Sequence, residues 1–141
     1  RMEIITGEPT VVLDIAHNAE KAEHLADALR ERFPEARMRA LVAIGEGKDA
    51  RAILDALAPL VSSLVVTSFQ AAGRKPLAPE MLAELARSFG VPVCAVEDPV
   101  EAFALATERC AADDVLVVTG STFVVAAVRA IALERVRPAP V

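Results

Sequence analysis

The sequence has no Trp and no Tyr, and five Phe are the aromatic residues among its 141 positions. Apolar residues still make up 54% of the chain, so a core has to be built mainly from Ala, Val and Leu. Charged residues account for 25%, which is typical of a folded protein and not of a disordered one. The length is that of one domain with a single core, and no linker or repeat divides it.

Cysteine and clustered positive charge are also scarce. Cys94 and Cys110 are the two cysteines, and their spacing matches neither a disulfide framework nor a zinc site, so we expect plain buried or half-buried side chains and no metal. The formal charge of −5 and the lack of a basic cluster beyond Arg74-Lys75 and the tail argue against nucleic acid as a partner. We find no signal peptide and no apolar run that spans a membrane, which predicts a cytoplasmic protein without a membrane partner.

Two nucleotide-binding fingerprints are missing as well. The chain contains no GxxxxGK[ST] segment, which excludes a P-loop within it, and no GxGxxG segment after a first strand, which argues against a dinucleotide domain. We also recognise no Ser-His-Asp order and no metal-ligand cluster. On the residues alone, the chain is a binding domain with one good candidate loop.

What the sequence does contain is an alternation of short β-branched runs with longer helical periods. Helices are predicted to begin near Asn18, Asp49, Pro79, Asp98 and Ser121. Strands are predicted over 2–6, 9–14, 38–44, 63–67, 91–96 and 115–119. Successive strands connected by a helix are βαβ units. They predict an α/β, Rossmann-like fold, with a mostly parallel sheet of five to six strands and helices on both faces. The initial hairpin adds one antiparallel strand.

The predicted helices carry clear apolar faces. The first has Ala22, Leu25, Ala26 and Leu29 at helical spacing before Pro34. The remaining buried faces are predicted to be Ala50, Ile53, Leu54 and Leu57 in the second helix, and Leu82, Leu85, Ala86 and Phe89 in the third, which Gly90 ends.

Ligands of open α/β sheets bind beyond the carboxyl ends of the strands, so the loops there are the candidate sites. The first loop runs from Asp14 to Asn18, with Asp14 closing an apolar strand and His17 just before a helix. These two side chains either bind a ligand or simply pair with each other. Asn18 has a sufficient explanation as the helix N-cap.

Three further loops carry polar residues, each with a structural alternative. Segment 45–49 is rich in glycine and can hold an anion on its amides, or it is a turn with Asp49 as a cap. Arg74, in the loop 68–75, is an anion ligand or a solvated charge. Ser121 caps the last helix or holds a substrate carboxylate. His24, in mid-helix, is expected at the surface.

Segment 14–18, Asp-Ile-Ala-His-Asn, resembles the D-G-A-H-N-P motif that opens the C-terminal domain of folylpolyglutamate and dihydrofolate synthases, members of the Mur ligase superfamily. Residues 1–3 are similar to the end of a P-G-R-x-E segment, 48–49 to a D-K-D region, Arg74 to a P-R-A-like element and 120–123 to a G-S-x-x motif. The resemblance spans almost the whole chain. Ile15 and Ala19 depart from the motif, which has Gly and Pro there.

The resemblance implies that the chain is one domain, residues 1–141, of an ATP-dependent ligase whose central ATP-binding domain is a separate part of the parent enzyme. In that family, ATP phosphorylates the carboxylate of a pteroate or folate, and the amine of L-glutamate attacks the acyl phosphate. Mg²⁺ neutralises the phosphates and is held mainly by the central domain. The expected partners are that domain, L-glutamate and dihydropteroate or folate, and the isolated domain is expected to be inactive.

Carried over to these positions, the resemblance implies a catalytic His17 lying between nucleotide and glutamate. It implies nucleotide contacts from Arg1 to the phosphates and from Asp14 and Asn18, and substrate contacts from Ser121 and Arg74. Two other interpretations remain open: an amino-acid ligase domain of peptidoglycan precursor synthesis, and a stand-alone ligand-binding α/β module.

Overall fold

The computed structural model describes residues 2–135, and Arg1 and the tail from 136 onward lie outside the described part. Within this part the chain forms six strands: β1 Glu3–Ile5, β2 Thr10–Leu13, β3 Met38–Val42, β4 Leu64–Val66, β5 Val93–Ala95 and β6 Val115–Thr119. It also forms five α-helices: α1 Ala19–Arg32, α2 Ala50–Leu57, α3 Pro79–Arg87, α4 Pro99–Arg109 and α5 Thr122–Glu134. No helix in residues 2–135 is both long enough and apolar enough to cross a bilayer.

The strands form one sheet in the order β1-β2-β6-β3-β4-β5. The pairs β2–β6, β6–β3, β3–β4 and β4–β5 are parallel, while β1 is antiparallel to β2, with Glu3 opposite Leu13. The predicted α/β, Rossmann-like sheet with one antiparallel strand is therefore confirmed. The strand order places the last strand, β6, in the middle of the sheet.

Two apolar layers cover the sheet, one on each face. Helices α1, α2 and α3 pack on one face together with alternate strand residues such as Val12 and Val117. Helices α4 and α5 pack on the other face with Leu13 and Val118. The two faces follow from the alternation of side chains along each strand, which sends successive residues to opposite sides.

The predicted starts of the helices are confirmed by their caps. The side chains of Asn18, Asp49, Asp98 and Ser121 each accept a backbone N–H from the first turn of their helix. Pro79 occupies the first turn of α3. The predicted apolar faces of α1 and α2 are fully buried. Such caps and faces depend on neighbours within a few residues, which is why the sequence predicts them well.

The third helix matches its predicted apolar face only in part. It ends at Arg87, and Phe89 lies beyond it, half-buried, as is Leu85, while Ala83 is fully buried. Leu85 and Phe89 still pack against the core beside the buried Leu82 and Ala86. Strand β5 begins after Pro92, as its missing N–H predicts. Both cysteines are half-buried and free, and His24 is exposed.

An ion-pair network around one buried carboxylate stabilises the amino-terminal end of β6. The carboxylate of Asp114 is 2% exposed and accepts hydrogen bonds from Arg37 at 3.2 Å, Arg39 at 3.3 Å and the backbone N–H of Ala111 at 2.8 Å. Burial raises the pKa of Asp114, but these hydrogen bonds outweigh it and leave the pKa below its usual range. The network lies at the amino-terminal ends of the strands, opposite the carboxyl ends where the candidate loops lie. It therefore stabilises the fold and takes no part in ligand binding.

Candidate functional site

A cleft of about 860 Å³ opens at the carboxyl edge of the sheet. Its walls come from His17 after β2, from residues within 45–48 after β3, from residues within 69–75 after β4 and from residues 120–123 after β6. These four strands are neighbours in the sheet, so the loops that follow them meet at one place. The four candidate loops, which the sequence offered as separate sites, therefore form one cleft.

Gly120 allows the loop after β6 to lie directly against β3. Its φ is +104°, in the left-handed region, and a Cβ at this position would collide with the backbone oxygen of Ala43. The amide of Ala43 also donates to the carbonyl of Thr119 at 3.3 Å. Glycine is therefore required here both by the backbone angle and by the close approach.

The first loop turns away from β2 with Asp14 buried at 6% exposure. One oxygen of its carboxylate, Oδ1, accepts the N–H of Ala16 at 2.9 Å. Ile15 points outward, with 45% of its surface exposed, while Ala16 packs into the core. The carboxylate thus shapes the turn that carries His17 to the cleft.

The imidazole of His17 is held by its own loop. Its Nδ1 lies 3.1 Å from the carbonyl oxygen of Ile15. Because a carbonyl oxygen only accepts, Nδ1 carries the proton of this bond. In the neutral ring Nε2 then has a lone pair, so it can accept a hydrogen bond or a proton from a molecule in the cleft.

Positive charge surrounds the cleft on the side of β3 and β4. Lys48, Arg74 and Lys75 line it together with the single acid Glu46. The loops are joined by the amide of Glu46, which donates to the carbonyl of Lys75 at 2.7 Å. Within residues 2–135 none of the three cationic side chains makes a salt bridge. The cleft is therefore locally cationic although the whole chain is acidic.

The far wall combines a helix start with an aromatic pair. The hydroxyl of Ser121 accepts the N–H of Phe123 at 3.0 Å and caps α5, whose amino end faces the cleft. The ring of Phe123 packs against Phe69, with centroids 5.1 Å apart and planes tilted by 30°. A helix start and a cationic loop both favour a negatively charged group between them.

The structure brings three of the predicted site residues together: His17, Arg74 and Ser121 all line the cleft. Asp14 and Asn18 lie on the same loop as His17 but are not among the described residues that line it. Asn18 is exposed, and its side chain caps α1 by accepting the N–H of Lys21 at 2.9 Å. Arg1 lies outside the described residues, so its predicted phosphate contact stays a prediction.

Sequence reasoning counted segments 45–49 and 68–75 among the candidate loops but did not name the side chains of Lys48 and Phe69 as site residues. Asp49 does cap α2, as the structural alternative for that loop predicted, but Lys48 beside it also lines the cleft. Phe69 lies in the loop after β4, a strand in which every residue is buried, and it lines the cleft. The pairing of Phe69 with Phe123 joins residues far apart in sequence, so no local pattern reveals it.

No metal centre is built by the described side chains. Between residues 2 and 135, no three His, Cys, Asp or Glu residues lie close enough together to hold an ion. The donor set of the cleft, with three cationic side chains, suits an anion and not Mg²⁺.

A cleft at the carboxyl edge of a parallel sheet, cationic and flanked by helix starts, defines a ligand-binding domain of the Rossmann-like class. Residues 1–122 match the family model described as Mur ligase, glutamate ligase domain, and the chain belongs to this family. A comparison with curated protein sequences gives no match.

Solved structures of folylpolyglutamate synthases share this fold. Mycobacterium tuberculosis folylpolyglutamate synthase complexed with ADP is similar, with a TM-score of 0.84 and 30% identity over 94% of this chain and 32% of that one. The bifunctional folylpolyglutamate synthase/dihydrofolate synthase from Yersinia pestis has a TM-score of 0.79 and 26% identity over 92% of this chain and 30% of that one.

E. coli FolC in complex with DHPP and ADP superposes with a TM-score of 0.85, and 96% of this chain covers 31% of that one. At 24% identity this last likeness bears on the fold alone. The chain spans about a third of the length of these proteins.

Proposed function

We propose that this chain is the glutamate-ligase domain of a longer ATP-dependent ligase, which joins L-glutamate to dihydropteroate or a folate through an acyl phosphate. The observation that carries the proposal is the cleft in which His17, Arg74 and Ser121 meet. The family assignment supports it, as does the likeness to a folylpolyglutamate synthase structure that contains ADP.

The charges of the cleft suit the substrates of such a reaction. Phosphates and carboxylates are both anions, and the cleft offers Lys48, Arg74 and Lys75 on one side and the amino end of α5 on the other. Charge-assisted hydrogen bonds of this kind are among the stronger polar contacts in proteins. Any Mg²⁺ that accompanies ATP would be held outside the described residues, which contain no cluster of ligands for it.

In the proposed reaction, ATP is the substrate that supplies a phosphoryl group to the acceptor carboxylate. The glutamate nitrogen then forms a bond to the acyl carbon, the carbon–oxygen bond to phosphate breaks, and the nitrogen loses a proton. His17 is suited to receive that proton or orient the amine at Nε2, because Nδ1 is occupied by the carbonyl of Ile15. Ser121 and the start of α5 hold a carboxylate of glutamate, and Arg74 offsets the negative charge.

Asp14, Asn18 and Arg1 have a different place in the proposal. They contact the nucleotide, Arg1 through its phosphates and Asp14 through the ribose, when the domain closes on the ATP-binding domain. Asp14 and Asn18 lie on the loop that presents His17, where Asp14 accepts the N–H of Ala16 and Asn18 accepts the N–H of Lys21. Closure that assembles a site from two domains is common in enzymes that exclude water from a reactive intermediate.

The test is ligation by the full-length parent enzyme with ATP, Mg²⁺, L-glutamate and either dihydropteroate or a reduced folate. We expect product with the wild type and a loss of kcat of about a hundredfold in His17→Ala, the range for removal of a general base. His24→Ala is the matched control, because His24 is an exposed imidazole on α1 away from the cleft.

The outcomes separate the alternatives. Absence of product with both acceptors, in a folded protein that binds ATP, favours a ligase of the peptidoglycan type. Absence of nucleotide binding by the full-length protein favours a stand-alone ligand-binding module. Equal kcat for the wild type and His17→Ala removes His17 from the catalytic role.

The same proposal predicts that this domain alone has no ligase activity. The cleft described here has no P-loop sequence and no metal cluster among residues 2–135. The measurement is release of ADP from ATP by the purified domain in the presence of both co-substrates. Release above the background rate contradicts the proposal that a second domain completes the site.

A further inference from the structure

The hydroxyl of Thr119 is buried and has no hydrogen-bond partner in the part of the chain that the structure describes. Thr119 ends β6 at 1% exposure, and its Oγ1 is the one buried side-chain polar atom in residues 2–135 that lacks a partner. The four residues before it, 115–118, are apolar and buried. A further Val would suit the end of this strand better, because an unpaired buried hydroxyl is unfavourable to the fold.

Thr119 lies next to Asp14, across the parallel pair of β2 and β6. The amide of Asp14 donates to the carbonyl of Val118 at 3.1 Å, which continues the register of the two strands by one residue. Val12 and Val117 both face the layer of α1, α2 and α3. Since side chains alternate along a strand, Asp14 and Thr119 lie on that same face at neighbouring positions.

The burial of Oγ1 determines how it can act. Less than 1 Å² of this atom is accessible, so a molecule in the cleft cannot touch it while the loops keep their positions. Asp14 is a polar neighbour whose carboxylate can accept several hydrogen bonds at once. That carboxylate already accepts the N–H of Ala16 and so shapes the turn that leads to His17.

We propose that Thr119 is a positioning residue, whose hydroxyl donates to the carboxylate of Asp14 when the cleft is occupied and so holds the loop of His17 against the ligand. Among residues 2–135 the hydroxyl has no hydrogen-bond partner, so a bond to Asp14 that forms when the cleft is occupied favours the occupied state. This inference about Thr119 rests on the proposed function in one respect: ligation activity is used to measure its effect.

The decisive variant is Thr119→Val in the full-length parent enzyme. Loss of the unpaired hydroxyl should raise Tm by about 3 °C, since the replacement is nearly the same size. Loss of the bond to Asp14 should at the same time lower kcat by about tenfold. Thr119→Ser keeps the hydroxyl and should restore kcat to within about threefold of the wild type. A purely structural residue would change stability and kcat in the same direction.

Val117→Thr is the matched control, because it places a buried hydroxyl on the same strand and face, two residues earlier. We expect a lower Tm with an unchanged kcat. In an Asp14→Asn background, Thr119→Val should cause a much smaller loss than in the wild type. A wild-type kcat in Thr119→Val, a lower Tm in that variant, or effects that add independently with Asp14→Asn would each overturn the inference.

Failure of the proposed function would look different from failure of this inference. If the wild type ligates neither acceptor, the proposed function fails, and the same variants are then compared by calorimetric binding of ADP to the full-length protein. Weaker binding by Thr119→Val, restored by Thr119→Ser, supports the role of Thr119. Equal binding by all three overturns it.

Discussion

The rings of Phe69 and Phe123 pack together in the wall of the cleft, with their centroids 5.1 Å apart. The contact joins the loop after β4 to the first turn of α5. Phe69 is 4% exposed, and Phe123 is half-buried. Tilted ring pairs at this separation are favourable beyond the area they bury.

The pair predicts a measurable cost for truncating its outer member. Phe123→Ala should lower the free energy of unfolding by about 2 kcal/mol, less than the loss for a fully buried Phe because this ring is partly exposed. Phe123→Leu keeps most of the apolar volume and should cost about 1 kcal/mol. Urea denaturation of both variants gives the comparison, and equal losses would mean that the ring itself contributes nothing.

Gly120 should be among the least replaceable residues of the chain. Gly120→Ala adds a Cβ that collides with the backbone oxygen of Ala43, at a φ of +104° that disfavours any side chain. We expect a loss of about 3 kcal/mol in the free energy of unfolding. Gly90→Ala is the control, since its φ is +78° but nothing lies within 4 Å of the added atom. That variant should lose only about 1 kcal/mol, and a similar loss in both would refute the close contact.

The free energy of unfolding should depend on pH because of Asp114. Its pKa in the folded protein lies below the value of 3.8 expected in the unfolded chain, because the hydrogen bonds of Ala111, Arg37 and Arg39 outweigh the effect of burial. The contribution of Asp114 to the free energy of unfolding is therefore fully present at any pH above its unfolded pKa. It is lost as the pH falls through the pKa of the folded state.

Asp114→Asn should accordingly lower the free energy of unfolding by about 2 kcal/mol at pH 7, with the difference from the wild type shrinking in acid. Asp113→Asn, at an exposed neighbouring position, is the control and should leave stability within about 0.5 kcal/mol. Urea denaturation at several pH values, from pH 7 down into the acid range, measures the free energies of unfolding of the wild type and both variants. A difference that stays constant as the pH falls would contradict the ion-pair explanation.

Arg74 should strengthen the binding of anions in the cleft. It lines the cleft, is exposed and makes no salt bridge among the described residues. Arg74→Ala in the full-length parent should raise the KM for L-glutamate or the Kd for ADP by about tenfold, the effect of one charge-assisted hydrogen bond. Arg87→Ala removes another exposed arginine, from the end of α3, and should change neither constant. If both variants behave like the wild type, Arg74 is a solvated charge.

Several features of the site could be predicted from the sequence. Local patterns predict the end of β2 just before Asp14, the cap at Asn18 and the start of α5 after Ser121. The motif at 14–18 led to the family that the comparison then established. What the motif could not predict is that Asp14 is buried and supports the turn, while His17 alone of this loop lines the cleft.

The sequence by itself determined the helices, their caps and their apolar faces, because these depend on residues within one or two turns of each other. It also determined the α/β class, since short apolar strands that alternate with helices have few other ways to bury both faces. The tertiary structure alone decided that β6 lies between β2 and β3, which brings His17, Lys48 and Ser121 to one cleft. Strand order, the pairing of Phe69 with Phe123 and the unpaired hydroxyl of Thr119 arise from contacts between distant segments, and those depend on packing the whole chain at once.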